Sequence, residues 1–594
     1  MASIPNPIIC EINYNSESSK QFNELAEHLS PQDQEYLFEY PTVYIINSQN
    51  FRDKYDIYVG ETSNINLRTM QHLSYNSINE AIAETEDPRS QRMYVVGHRY
   101  FNKSLTLDIE NKLMHYLSTI PSVDRVYNRR TNQQNKYYTS EYFEDIFNKV
   151  WRELTKRNAK LFPIKSVIED SALFKASPFH KLTKEQIEAK EKIYSKVIQS
   201  LGSHETGQLV LVSGEAGSGK TVLMSSLFYD LNQELEELPL NGQVPQIHLV
   251  VNHDAQLTVY QEIARKLGIS TANHVEPVLK PTRLINQISP DTPVDVVIVD
   301  EAHLLLTQGN QGYQGKNQLY DLLNRARVVI AVFDLNQILS TDQYWEKEQL
   351  DEIKLLAEEN DNYIFLKNQM RIAADPKTVD WIRTLVDEQI VRNIPLDEKG
   401  YEIQVFDSAN QMHQAIKEKA QNQDCGISRV VATFDWPYVD RRKPEGQDYW
   451  TIKTDDLELP WNYQLSNADK TIKNKNLSWA ERPHTINEAG STYTVQGFDL
   501  NYVGVIIGPS VKYREGKIIF DRSATHNRKV RHRRTLSDGS KEYLADFLLK
   551  NELNVLLTRG IHGLYIYAVD PELQAILLKA QGGEIEIGQF DRED

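Results

Sequence analysis

Two hydrophobic textures divide this chain. From Leu182 onward, short continuous apolar runs alternate with stretches of helical amphipathic pattern. Leu209–Val212, Ile247–Val251, Val294–Val299, Val328–Phe333 and Tyr363–Leu366 form one block of such runs. Ile403–Phe406, Arg429–Thr433, Gly504–Ile507 and Leu564–Val569 form a second. A strand apolar on both sides must be covered on both faces, which is the condition of a parallel sheet flanked by helices. The alternation predicts two doubly wound parallel-sheet lobes, an α/β fold class. Residues 1–160 differ, being rich in Tyr and Asn, with strand-like runs at Thr42–Asn47, Asp56–Gly60 and Arg92–Val96 between helix-like stretches. That pattern predicts a small α+β domain. Residues 161–181 carry Pro163 and Pro178 without sustained period and read as a linker. The expected division is a domain over 1–160, a linker over 161–181, a first lobe over 182–372 and a second over 373–594.

Composition narrows this picture in a few places. A chain of 594 residues exceeds one hydrophobic core. A net charge of −17 excludes a uniformly basic nucleic-acid coat but leaves room for local basic grooves. Only Cys10 and Cys425 are present, too few for a disulfide framework or a cysteine zinc site. The start, Met-Ala-Ser-Ile-Pro-Asn-Pro, lacks the basic and apolar regions of a signal peptide. No apolar run approaches the roughly 18 residues that span a bilayer. A cytoplasmic location without a membrane partner is the expectation.

The most specific chemistry lies at Gly214-Glu215-Ala216-Gly217-Ser218-Gly219-Lys220-Thr221, between the apolar run Leu209–Val212 and the helix-like stretch Val222–Leu231. This is G-x-x-x-x-G-K-S/T in strand–loop–helix context, a phosphate-binding loop. Its glycines let backbone N–H groups turn toward phosphate oxygens, and the helix N-terminus adds a positive dipole end. Lys220 would neutralise the β- and γ-phosphates, and Thr221 would offer its hydroxyl to Mg²⁺. The run Val296–Val299 ends in Asp300-Glu301, placing two carboxylates beyond a buried strand, where ligands of doubly wound sheets sit. Asp300 could hold Mg²⁺ through water, and Glu301 is the natural base for an attacking water. Gln337 follows the strand Val328–Val332 and could touch the γ-phosphate. Arg371 follows Tyr363–Leu366. Gln186 lies just before the first lobe, where its amide could pair with adenine. Thr492-Tyr-Thr-Val-Gln496-Gly497 and Leu556-Leu-Thr558-Arg559-Gly560 precede the strands Gly504–Ile507 and Leu564–Val569.

In this order the motifs from Gln186 to Arg559 resemble superfamily 1 helicase-type motors, nearest the bacterial branch related to the Schlafen ATPase domain. The resemblance covers roughly residues 180–575 and implies two RecA-like lobes and ATP with Mg²⁺ as cofactors. It also implies that Arg371 and Arg559 reach the γ-phosphate across the cleft, and that Gly497 belongs to the family's Gly-containing motif and to the cofactor-binding residues. The large inserted subdomains of processive unwinding enzymes are missing from the pattern. Arg522–Arg534 carries six Lys or Arg and no acid, an electrostatic outlier. Two readings stand open for it: contact with nucleic-acid phosphates, or a solvated loop.

In the N-terminal part, Val43-Tyr44-Ile-Ile and Ile57-Tyr58-Val-Gly60 read as paired strands joined by Gln49–Tyr55. A helix follows with Arg68 and His72 four apart, on one face. Leu105–Leu117 reads as a helix carrying Glu110, and Tyr127-Asn128 follows Pro121. Two tyrosines, an arginine, a histidine, a glutamate and an asparagine in this order are similar to the GIY-YIG nuclease family, over roughly residues 38–135. The first motif, Thr42-Val43-Tyr44, departs from the family pattern by lacking its Gly and Ile. The resemblance implies a GIY-YIG-like fold and a divalent metal, Mg²⁺ or Mn²⁺, bound by Glu110. Tyr44 would help activate water, with Tyr58 and His72 assisting. Arg68 would bind the phosphate, and Asn128 would support the site. The pairing of halves points to a nucleic-acid motor coupled to an endonuclease, with DNA favoured over RNA and a role in defence against foreign DNA or in repair. A regulatory ATPase switch whose first domain only binds nucleic acid, and an RNA-directed nuclease, are the alternatives.

Overall fold

Glycine placement and apolar patterning organise three sheets. The computed structural model describes residues 4–15, 17–65, 91–127, 137–169, 171–203, 205–214, 217–237, 244–269, 275–310, 312–367, 372–421, 427–440, 442–462 and 477–585. Arg68, His72, Asn128, Glu215, Ala216 and Arg371 lie outside the described residues.

The first sheet contains β1 (Ile8–Asn13), β2 (Thr42–Gln49), β3 (Tyr55–Thr62), β4 (Arg92–Gly97) and β5 (Val123–Val126), in the order β1-β4-β2-β3-β5. The β2–β3 hairpin is antiparallel and sets Tyr44 opposite Gly60 and Ile46 opposite Tyr58. The helix Lys103–Thr119 packs on β2, β3 and β5. Asn102 caps it, its side chain accepting from Leu105 N at 3.0 Å. Leu105, Ile109, Leu113 and Leu117 repeat at i+4 and are all buried. The helix ends just before Pro121, as the residue preceding proline disfavours α conformation. Residues 161–181, read from sequence as a linker, carry the short helices Lys165–Glu169 and Ala172–Lys175 and bury Leu161, Phe162, Phe174 and Phe179. Phe162 meets Trp151 edge-on, and Phe174 stacks on His115. Aromatic anchoring, which has no helical or strand period, is why the sequence pattern passed over it.

The second sheet contains β6 (Gln208–Gly214), β7 (Ile247–Val251), β8 (Val278–Leu279), β9 (Val294–Asp300), β10 (Ala326–Phe333) and β11 (Tyr363–Leu366), in the order β11-β6-β10-β9-β7-β8. The pairs β11–β6, β6–β10, β10–β9 and β9–β7 are parallel. Their carboxyl ends share one edge, which carries Gly214, Asp300 and Phe333-Asp334. β10 lies between β6 and β9, so the phosphate-loop strand and the Asp300-Glu301 strand stand on either side of the strand that carries Asp334. This is the switch-point geometry that receives ligands in open parallel sheets.

The third sheet contains β12 (Glu402–Val405), β13 (Arg429–Ala432), β16 (Ala489–Gly490), β17 (Leu500–Ile507) and β22 (Gly560–Ala568), in the order β12-β22-β17-β13-β16. All of its pairs are parallel. Three hairpins decorate this lobe: β14 (Thr451–Lys453) with β15 (Glu458–Pro460), β18 (Val511–Arg514) with β19 (Lys517–Phe520), and β20 (Arg533–Thr535) with β21 (Lys541–Tyr543). By packing, the chain forms two compact units. One comprises Met1–Thr183, Val222–Pro245 and Val259–Val278, and the other Lys184–Thr221, Gln246–Thr258 and Leu279–Asp594. Both parallel-sheet lobes have their sites within the second unit. Among the described residues no helix is long and apolar enough to cross a membrane.

Candidate functional site

Strand β6 delivers the chain into a loop where Gly217 and Gly219 hold φ of +88° and +75°. Those left-handed values favour glycine because any Cβ would clash with the backbone. The loop feeds directly into the helix Lys220–Glu237, whose first residue is buried. Lys220 Nζ donates to Gly214 O at 2.6 Å and stands 3.4 Å from Asp334 Oδ2. Among the described residues Ser218 Oγ is buried with no hydrogen-bond partner, a polar group turned into the fold with its bonding unspent. Gln186, near the start of the helix Lys184–Ser203, is buried and reaches Ser218 O and Gly219 O at 3.4 and 3.3 Å. In this position it braces the phosphate loop. A concentrated cation, glycine-built backbone curvature and an unsatisfied hydroxyl are the donor set a triphosphate needs.

The acidic side comes from β9. Asp300 is buried, and its Oδ1 accepts from Glu301 N at 3.0 Å. Glu301 then takes φ +52° and ψ +48°, a left-handed conformation disfavoured for a residue with a side chain. Its carboxylate accepts from Gln256 Nε2 at 3.3 Å and stands 3.3 Å from His303 Nε2. Burial works to raise the Glu301 pKa, but its electrostatic coupling to His303 and to Lys220 pulls it below the usual glutamate value. His303 is itself pushed below the ordinary histidine range, burial being the largest cause. His303 Nδ1 accepts from Asp334 N at 3.3 Å, which puts the ring proton on Nε2, facing Glu301. Asp334 follows the same logic: burial opposes its ionisation, while Lys220 and His303 bring its pKa below the usual carboxylate value.

From Asp334 the network continues into the second lobe. Gln337 Nε2 donates to Asp334 Oδ2 at 2.7 Å, and its Oε1 accepts from Arg559 Nη2 at 2.9 Å. Arg559 is fully buried, and its guanidinium also reaches Val555 O at 3.1 Å and Phe498 O at 3.4 Å. The helix Ala545–Leu557 clasps the turn that carries Gln337. Asn551 Nδ2 donates to Leu335 O and Ile338 O, and Asn554 Nδ2 to Asn336 O, all at 3.0 Å. Gly497, at φ +81°, passes close against Gln256, where a Cβ would fall 2.7 Å from the amide nitrogen. The neighbouring Gln496 Nε2 lies 3.4 Å from Gln337 O. Gly497 thus bears on the glutamine that holds Glu301. Thr221 occupies the second position of the phosphate-loop helix.

Several members of this network escaped the sequence reading. Gln256 and His303 carry no motif of their own. Asp334 was visible only as the start of Asp-Leu-Asn-Gln337. Asn551 and Asn554, three apart and buried in the leucine-rich helix Ala545–Leu557, were the available signal of a polar clasp.

In the first unit, Tyr44 and Tyr58 stack with ring centroids 6.0 Å apart. Gly60 is required by that arrangement, because a Cβ there would collide with the Tyr44 ring and hydroxyl. Tyr44 is fully buried, and Glu110 is 8% exposed on the helix Lys103–Thr119. Tyr14, unremarked in sequence, joins the same apolar cluster. Burial and the neighbouring Tyr58 push its hydroxyl up to about 12. Among the described residues no group of three or more His, Cys, Asp or Glu is arranged to hold a metal ion. Glu110 offers a single hard oxygen donor, a set compatible with a Mg²⁺ that keeps most of its waters.

Two parallel-sheet lobes that meet through a buried arginine–glutamine contact beside a phosphate loop define a helicase-like P-loop protein. Residues 207–570, more than half the chain, match the family described as Schlafen group 3, DNA/RNA helicase domain, and the chain belongs to that family. It is 30% identical over 437 residues to the uncharacterized protein YPL245W of Saccharomyces cerevisiae, covering 67% of this chain and 90% of that one. The Pif1 helicase of Candida albicans aligns over 67% of this chain and 99% of its own at 13% identity, with a TM-score of 0.27, too loose a superposition to carry a structural argument.

Proposed function

We propose that this protein is an ATP-hydrolysing nucleic-acid motor that carries a metal-dependent phosphodiester-cleaving domain in its N-terminal part. The observation that carries the motor reading is the unbroken side-chain path Lys220–Asp334–Gln337–Arg559, which joins the phosphate loop of one lobe to an arginine of the other. Lys220 and the loop N–H groups would bind the phosphates, and Gln186 would hold the loop while reading adenine. Glu301, ionised and oriented by Gln256 and His303, would take the proton of the attacking water. Asp300 and Thr221 are the residues that would hold Mg²⁺, which when bound supplies charge neutralisation at the phosphates. Arg559, and Arg371 by resemblance, would stabilise charge on the transferring phosphoryl group. Because Arg559 comes from the second lobe, hydrolysis would depend on lobe closure, which couples chemistry to movement along a strand.

The nuclease reading rests on the β2–β3 hairpin, the Tyr44–Tyr58 stack that Gly60 permits, and Glu110 on a helix packed against it. Glu110 would bind Mg²⁺ or Mn²⁺, with Tyr44, Tyr58, His72, Arg68 and Asn128 in the supporting roles the resemblance implies. DNA is the proposed substrate, cut in defence against foreign DNA or in repair. The test compares cleavage of DNA and RNA oligonucleotides by wild type, Lys220→Ala and Glu110→Ala with ATP and Mg²⁺. Glu110→Ala should stop cutting while phosphate release continues, and Lys220→Ala should stop phosphate release. Persistent cutting by Glu110→Ala would move the active site elsewhere. One observation favours a second reading: complete burial of Tyr44 withdraws its hydroxyl from solvent. A domain that binds nucleic acid without cutting it would yield no cleaved product from wild type with either metal.

A further inference from the structure

The basic stretch Arg522–Arg534 is neither a free loop nor a lone charge run. It belongs to a strap, from β17 to the helix Ala545–Leu557, that leaves the second lobe, touches the first and returns. Arg534 is its anchor: buried, with Nη1 donating to Thr341 O at 2.9 Å and Nη2 to Thr307 O and Oγ1 at 3.0 Å. Ser537 N donates to Glu346 Oε1 at 2.9 Å. Thr307, Thr341 and Glu346 all lie between β9 and β11 of the first lobe. On the other side, His526 N and Thr525 Oγ1 donate to Phe434 O at 2.9 and 3.0 Å. Asn527 Nδ2 donates to Tyr493 Oη at 2.9 Å.

This leaves Arg522, Arg528, Lys529, Arg531, His532 and Arg533 exposed. The Tyr543 ring, 45% exposed, lies 3.5 Å from the Arg522 guanidinium carbon and 4.7 Å from that of Arg533. Packing on a tyrosine ring pre-organises guanidinium groups, so less rotamer freedom is lost when they bind an anion. A cationic surface on a chain of charge −17 opposes the general self-solvation of the fold and marks a place built for a polyanion. Its contact with Tyr493 gives it a route inward, since Gln496 of the same segment reaches Gln337 O.

We propose that the outer face of the Arg522–Tyr543 strap binds the phosphate backbone of a nucleic-acid strand and reports its presence to Gln337. The inference rests on the motor reading and names the surface that reading requires. The strap touches both lobes, so a strand lying along it bears on the Gln337–Arg559 contact. Phosphate contact alone does not separate DNA from RNA; separate oligonucleotides do.

The test measures affinity by fluorescence anisotropy with labelled single-stranded DNA and RNA of about 20 nucleotides, across a salt series, using full-length protein. Arg528→Glu with Arg531→Glu should weaken binding about tenfold or more near 100 mM salt and flatten the salt dependence by about one to two charges. Arg528→Gln with Arg531→Gln should weaken it less, because charge is removed rather than reversed. Unchanged melting temperatures would show that both pairs fold. Wild-type affinity and slope in both variants would overturn the strap proposal while leaving the motor reading in place. A wild-type protein that binds neither oligonucleotide would overturn both.

Discussion

Arg559 Nη2 donates to Gln337 Oε1 at 2.9 Å, and the two side chains, from different lobes, are both buried. A guanidinium withdrawn from water needs acceptors, and this one takes two backbone carbonyls and one amide oxygen. Gln337 in turn donates to Asp334, which faces Lys220. The arginine is thus held in register with the phosphate loop through two intervening side chains. Under the proposed motor function, that arrangement would make the interlobe contact part of the chemistry rather than a packing detail.

Arg559→Ala should lower the rate of ATP hydrolysis about a thousandfold, the scale on which a transition-state arginine acts. Gln337→Ala, which removes only the link, should cost about tenfold. Steady-state phosphate release measures both. If Gln337→Ala proved as severe as Arg559→Ala, the glutamine would be acting on phosphate directly rather than through the arginine.

Gly497→Ala should be damaging for two reasons that can be separated. Its φ of +81° disfavours alanine, and the added Cβ would press on the Gln256 amide that holds Glu301. Turnover should fall about tenfold, with stability down by about 1–2 kcal/mol. Combining it with Gln256→Ala should cost less than the sum of the two, because the shorter side chain makes room. Strict additivity would show that Gly497 acts through backbone strain alone.

Glu552 provides the pH dependence. Its carboxyl is fully buried, and burial together with the Asp435 charge pushes its pKa up to about 8. An unfolded glutamate titrates near 4.3. Between those values the folded state holds a proton that the unfolded state has lost, so stability falls as pH rises through that window. Glu552→Gln keeps an acceptor for Phe434 N, which now donates to Oε1 at 3.0 Å, and carries no charge. Thermal melts should show the variant several degrees more stable at pH 9 than wild type, with the two converging near pH 4. Parallel curves across that range would place the titration on another group.

In the first unit, Gly60→Ala should destabilise by about 1–3 kcal/mol, the cost of forcing a methyl into a packed core. The collision is with the Tyr44 ring and hydroxyl, so Tyr44→Leu in the same chain should recover part of the loss. Urea unfolding followed by tyrosine and tryptophan fluorescence reads both changes. No recovery would mean that Gly60 serves the strand backbone and not the tyrosine.

Much of this protein was legible as pattern. Most strands of both parallel sheets stand near the apolar runs that predicted them, because a central strand buried on both faces can contain little else, while the two-residue strands β8 and β16 carried no such run. The phosphate loop announced itself through glycines whose backbone angles other residues disfavour. Local chemistry of that kind is written in consecutive residues. Edge strands β1 and β5, and the aromatic packing of residues 161–181, were not. An edge strand needs only one apolar face, and an aromatic anchor has no period.

What the fold alone decided is which distant residues meet. Gln256, His303, Asp334 and Gln337 are spread over three connections, yet strand order brings them to one sheet edge around Glu301 and Lys220. Arg534 looked like one charge among six, and only tertiary packing made it a buried anchor while its neighbours stayed in water. Side-chain identity can be read along a line. Burial and partnership depend on parallel strands placing residues far apart in sequence a few ångströms apart in space.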